Sequence, residues 1–124
     1  MATKILIEGQ GFLMEAELSD APAAQQVANA LPLGTRMSRW GDEYYGSVDL
    51  DISEDATAKE IMGVGEIAYW PPGKAMCIFF GRTPASTDER PRAASPVIPI
   101  GRVMSGLSGL RGLGKSVQMS FRRA

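Results

Sequence analysis

Six consecutive apolar residues, Ala75-Met76-Cys77-Ile78-Phe79-Phe80, stand out in a chain whose other apolar positions mostly alternate with polar ones. The run is too short for a membrane span and lies between Gly73 and Gly81, so it predicts a strand covered on both faces. Just before it, Glu66-Ile67-Ala68-Tyr69-Trp70 predicts another strand. Pro71-Pro72-Gly73 joins the two, since paired prolines followed by glycine punctuate an element rather than continue it. The stretch from Val64 to Pro84 therefore reads as a hairpin with a Pro-fixed connection, and it is the centre of the chain.

Around this hairpin the pattern predicts a series of short strands. Lys4 to Glu8 is one, and Gln10-Gly11 turns it into a second, in which Phe12, Met14, Ala16 and Leu18 share a face. Ser19-Asp20 then supplies an N-cap and Pro22 a first-turn residue. Ala24, Val27, Ala28 and Leu31 follow at helical spacing, so a helix spans Ala21 to Leu31 until Pro32 stops it. Thr35 to Trp40 is extended, Gly41-Asp42 turns, and Tyr44, Gly46, Val48 and Leu50 alternate with polar neighbours. Gly46 weakens that strand unless it serves a bulge or a barrel bend. Arg82 to Ser95 is rich in proline and charge and is expected to be a surface loop. Val97 to Val103 predicts a strand, Ser105 to Gly114 a glycine-rich connection with a helical turn, and Val117 to Phe121 a last strand. Seven or eight strands with one helix suit an all-β barrel or sandwich in a single domain, 1–124.

Composition narrows the function classes. With 44% apolar and 22% charged residues the chain is ordinary for a globular domain, and a net charge of −1 gives no general attraction to nucleic acid or to an anionic membrane. Histidine is absent, which removes Ser-His-Asp and Cys-His machinery, His-ligated zinc and a histidine general base. The single cysteine, Cys77, sits in the most apolar run, where a thiol behaves as a small hydrophobe and cannot form an internal disulfide. The N-terminus meets Glu8 and Gly9 after three apolar residues, short of the apolar segment of about 7 to 15 residues that a signal peptide needs. A cytoplasmic protein is expected.

The phrase from Gly65 to Gly73, GEIAYWPPG, followed by Cys77-Ile78-Phe79-Phe80-Gly81 and Thr83-Pro84, resembles the small prokaryotic cyclophilin-like family. Ala30-Leu31-Pro32, the run Arg39 to Tyr45 and Ile100-Gly101-Arg102-Val103 extend the resemblance over nearly the whole chain. It implies a closed cyclophilin-like β-barrel and no particular reaction. True cyclophilins place an arginine over an apolar pocket to twist a prolyl peptide. Arg39, Arg82 and Arg102 are of the right type, and Phe79 or Trp70 could line such a pocket. None lies in a cyclophilin active-site context, so no catalytic residue carries over.

Three stretches offer chemistry. Gly109 to Ser116 satisfies the phosphate-cradling pattern GxxxxGK[ST], but that chemistry needs a helix starting at Lys115-Ser116, and here an alternating strand follows. Asp49, Asp51, Glu54 and Asp55 gather oxygens without an EF-hand's glycine and terminal glutamate. Neither a cofactor nor a metal is expected. Arg39-Trp40-Gly41-Asp42-Glu43-Tyr44-Tyr45 places a cation, an indole, two carboxylates and two phenols about one turn. Its aromatics could stack on a ligand while Arg39 and Glu43 fix a polar end, and a buried aromatic corner is the competing reading. The candidate binding set is Arg39, Trp40, Glu43, Tyr45, Trp70 and Arg82, for a small organic ligand or a proline-containing peptide. Prolyl isomerisation is the enzymatic alternative.

Millimolar Mg-ATP is expected to leave the melting temperature unchanged, because a ligand at 100 times its Kd adds about 2.7 kcal/mol of stability. A thermal shift that disappears in Lys115→Ala would contradict this.

Overall fold

Alternation of inward and outward side chains lets the strands close on themselves. The computed structural model describes residues 2–124. Its strands are β1 (Thr3–Gly9), β2 (Phe12–Leu18), β3 (Leu33–Arg39), β4 (Glu43–Ser47), β5 (Lys59–Ile61), β6 (Glu66–Trp70), β7 (Ala75–Phe79), β8 (Arg92–Ser105) and β9 (Ser116–Arg123), with one helix, α1 (Pro22–Ala30). They run in the order β2-β1-β9-β3-β4-β7-β6-β8, and pairing of β2 with β8 closes an eight-stranded antiparallel barrel. The ninth strand, β5, adds to β8 from outside that ring. The closing seam depends on Gly101, opposite Leu18, where a Cβ would overlap the Glu17 carbonyl oxygen. Gly46 does similar work where β4 leaves β3, since a Cβ there would come within 2.7 Å of Met37 Sδ.

The barrel interior is filled. Ile5, Ile7, Met14, Leu18, Met37, Tyr44, Tyr69, Phe80, Met119 and Phe121 belong to one buried cluster, joined by Ala24, Val27 and Ala28 of α1. The phenols inside are satisfied: Tyr44 donates to the Gly114 carbonyl at 2.5 Å and Tyr69 to the Leu50 carbonyl at 2.5 Å. A second cluster lies on the outer side of the wall, where Cys77, Phe79 and Ala68 meet Met62, Ala93 and Val97, with Trp70 against them. Every residue of β7 is therefore buried, Met76 and Ile78 against the interior and Cys77 and Phe79 against the outer layer. This double cover is what the six-residue apolar run predicts.

Three expectations change. The segment from Arg82 to Ser95 is not wholly a loop, because β8 begins at Arg92 and runs for 14 residues. Its prolines are accommodated at irregular pairings: the β6–β8 register shifts between Ile67 and Ala68, next to Pro99, and the β5–β8 register shifts across the stretch that contains Pro96. The N-cap position of α1 is Ala21, and the Ser19 hydroxyl, two residues before it, accepts a hydrogen bond from the Ala21 N–H at 3.3 Å. The alternation expected to reach Leu50 ends as strand at Ser47, after which the Val48 N–H donates to the Lys74 carbonyl. Among the described residues, no helix is long and apolar enough to cross a membrane.

Phe79→Ala is expected to cost about 3 to 5 kcal/mol, as the side chain is fully buried between the barrel wall and the outer layer. Urea denaturation checks it, and a midpoint that scarcely moves would contradict the placement.

Candidate functional site

The β3–β4 turn sorts its residues by the same alternation. Arg39 lies opposite Tyr44 and Ser38 opposite Tyr45, so Arg39 shares the interior side with Tyr44 while Glu43 and Tyr45 face outward. On the outer side, Trp40, Glu43, Tyr45 and Trp70 line one cavity of about 220 Å³, walled on β8 by Ala93, Ala94 and Val97. Four of the six residues in the candidate set therefore converge on one concavity. Arg39 and Arg82 do not line it.

Arg39 holds the architecture of the turn instead. Its guanidinium donates to the Gly41, Arg111 and Leu113 carbonyls at 2.9 to 3.1 Å and pairs with Asp42 at 3.0 Å. It also lies over the Phe80 ring, 5.0 Å from the centroid, and near Tyr44. The residues matching the phosphate-loop pattern thus present carbonyls to a cation, and Ser116 Oγ accepts from Arg36 at 2.8 Å. Arg82 follows the core strand with its side chain exposed, and its carbonyl accepts from the Asp42 N–H at 2.8 Å. Arg102, the third arginine considered, borders a larger groove of about 650 Å³ together with Glu17 and Glu66.

Glu43 is the unusual group in the cavity. It is only 5% exposed. In register Glu43 faces Phe79 and Tyr45 faces Cys77, so the Cys77 thiol lies on the same outer side as the carboxyl, while its Sγ donates to the Ala75 carbonyl at 3.8 Å. Burial pushes the Glu43 carboxyl up to about 7 from an ordinary 4.5, and the nearby Cys77 thiol only partly offsets this. Burial and the adjacent Glu43 carboxyl together hold the thiol well above its usual range, so it is protonated and unreactive. The aromatic rim is braced. Trp70 Nε1 donates to Ser95 Oγ at 2.7 Å, and the Tyr45 ring meets Trp70 edge-on at 6.5 Å between centroids.

Ala93, Ala94, Val97 and Cys77 were not visible as site residues from sequence. Ala93 and Ala94 lie in the Pro-rich stretch expected to be a loop, Val97 opens the expected strand with nothing to mark it as facing a site, and Cys77 comes beside Glu43 only through the β4–β7 register.

The raised Glu43 carboxyl makes stability pH-dependent. Unfolded, this group ionises near 4.5, and folded, near 7, so between those values the folded state binds more protons and stability falls as pH rises. The loss is complete above pH 7 and is on the order of 3 kcal/mol. Glu43→Gln is expected to remove it, so the variant gains on the wild type as urea midpoints are taken from pH 5 to pH 8. Parallel profiles for the two proteins would contradict the assignment.

The comparisons agree with this architecture. A solution structure of a hypothetical protein from Archaeoglobus fulgidus is similar over 98% of this chain and 95% of its own, with 36% identity and a TM-score of 0.82. No curated protein matches the chain. The family described as cyclophilin-like matches residues 1–122, nearly the full length of a closed eight-stranded barrel, and the chain belongs to that family.

Proposed function

We propose that this barrel is a small-ligand-binding protein and that the ligand sits in the outer-wall cavity between Trp40, Tyr45 and Trp70 with Glu43 at its polar end. The observation that carries the reading is the Glu43 carboxyl, buried to 5% exposure at a cavity with largely apolar walls and raised to about 7. Burying an acid this way is costly to the fold, and such groups concentrate at functional sites. Apolar walls with few convergent polar groups are also the general form of a small-molecule site. Prolyl isomerisation is less well supported, because it calls for an arginine over the pocket. Arg39 is engaged in the turn, Arg82 is exposed, and no arginine lines this cavity. A proline-containing peptide would still find aromatic surface here. A single free, buried thiol suits a reducing, cytoplasmic setting.

Both tryptophans of the chain line this cavity, so intrinsic fluorescence reports on it directly. In a titration with a panel of small aromatic and aliphatic fragments, at least one is expected to change the emission and raise the melting temperature. Ala94→Trp, which fills the cavity from β8, is expected to abolish that response without unfolding the barrel. A panel without a binder, or binders indifferent to Ala94→Trp, would overturn the reading. Acceleration of cis–trans exchange in Xaa-Pro peptides would shift it to the isomerase.

A further inference from the structure

We propose that the cavity at Trp40, Glu43, Tyr45 and Trp70 is built for a small organic cation, an alkylated ammonium whose charge rests against the Glu43 carboxylate and whose alkyl groups rest against the rings. This rests on the ligand-binding reading and names the class of ligand.

Charge bookkeeping across the molecule points this way. Asp42 pairs with Arg39 and Arg111, Glu60 with Arg92, Glu66 with Lys59, Glu8 with Arg122 and Asp88 with Arg90. Glu43, far more buried than any of these, has no cationic partner among the described residues. The polar side chain beside it on β7 is the weakly donating Cys77 thiol, whose Sγ donates to the Ala75 carbonyl at 3.8 Å. A buried carboxylate without a counter-ion is unfavourable, and a bound cation supplies one.

The remaining lining favours an alkylated ammonium over a neutral polar ligand. Trp40, Tyr45 and Trp70 line the cavity, and aromatic rings attract a cation with a diffuse, poorly hydrated charge. The Trp70 N–H is already committed to Ser95, so it is not free to read a second polar group. Ala93, Ala94 and Val97 offer methyl-sized apolar contact and no hydrogen bond from their side chains.

Protonation follows from the same geometry. Around Glu43, Cys77 of β7 and Tyr45 of β4 are the titratable neighbours, and burial and Cys77 account for its shift. The charged residues of the flanking elements, Arg39 with Asp42, Glu60 with Arg92 and Lys59 with Glu66, are engaged with one another, and Arg82 is exposed near Asp88. A cation that needs the ionised acid must displace its proton below pH 7, so affinity falls there by about tenfold per pH unit.

The probes are choline and its uncharged isostere 3,3-dimethylbutan-1-ol, titrated by calorimetry at pH 6, 7 and 8. Choline is expected to bind at least tenfold more tightly than the isostere at pH 8, to weaken towards pH 6, and to lose that preference in Glu43→Gln. If Glu43→Gln fails to fold, Trp40→Leu, at a partly buried lining position, carries the test, and it is expected to weaken choline more than the isostere. An isostere that binds as well as choline, or choline binding untouched by Glu43→Gln, would overturn the cation assignment and leave the binding site standing. Binding of neither probe would also overturn it, and the fragment titration then decides the site separately.

Discussion

A strand with no solvent face is the constraint on which this structure depends. β7 has five residues and all are buried, so one layer of side chains cannot satisfy it. The barrel interior covers Met76 and Ile78, and something outside the barrel has to cover Cys77 and Phe79. That cover is the N-terminal half of β8 with β5 paired along it, and it explains why β8 runs for 14 residues while most strands in the ring have 5 to 7. Burial of apolar area on two sides of one strand fixes both layers in place.

The candidate site is a by-product of that second layer. β8 lies over the outer wall with alanines at Ala93 and Ala94, where larger side chains would have filled the space, so a cavity remains between it and the turn after β3. The turn itself is used on two sides. Toward the interior, Arg39 ties the loop at Arg111 and Leu113 to the turn and lies over Phe80. Toward the outer layer, Glu43 and the aromatics form the concavity. The clamp on one side holds the backbone from which the other side projects, a rigid base that a binding constellation needs.

The sequence shows the centre of the fold more plainly than its joints. An unbroken apolar run bounded by glycines has few structural solutions, and the β6–β7 hairpin pairs Ile67 with Ile78 and Trp70 with Ala75 as that pattern requires. The start of β8 was obscured because Pro91, Pro96 and Pro99 are normally signs of a loop, and only bulged, shifted pairing lets a strand carry them. Within the site, the aromatics and Glu43 were legible as a cluster because they are close in sequence or flank the central hairpin. The misplacement of Arg39 has a different cause. Proximity along the chain grouped it with Trp40 and Glu43, whereas pairing with Tyr44 turns it to the opposite side, and cross-strand register is not written in local composition.

Free space and polar balance differ between the two sides of the barrel wall. Inside the barrel, Tyr44, Tyr69, Phe80 and Phe121 occupy the space, and among the described residues no buried side-chain nitrogen or oxygen is left without a partner. Such an interior offers neither room nor an unmet hydrogen bond, so it serves stability. The outer layer is different, because its most buried acid has no cationic partner among the described residues and lies next to open volume. A fold that needed only to cover Phe79 and Cys77 could have done so with an apolar residue at position 43, at no desolvation cost. Glu43 keeps a charge-bearing group where packing alone would favour none, and that excess over structural need is the physical support for the proposal that this face of the barrel binds a ligand.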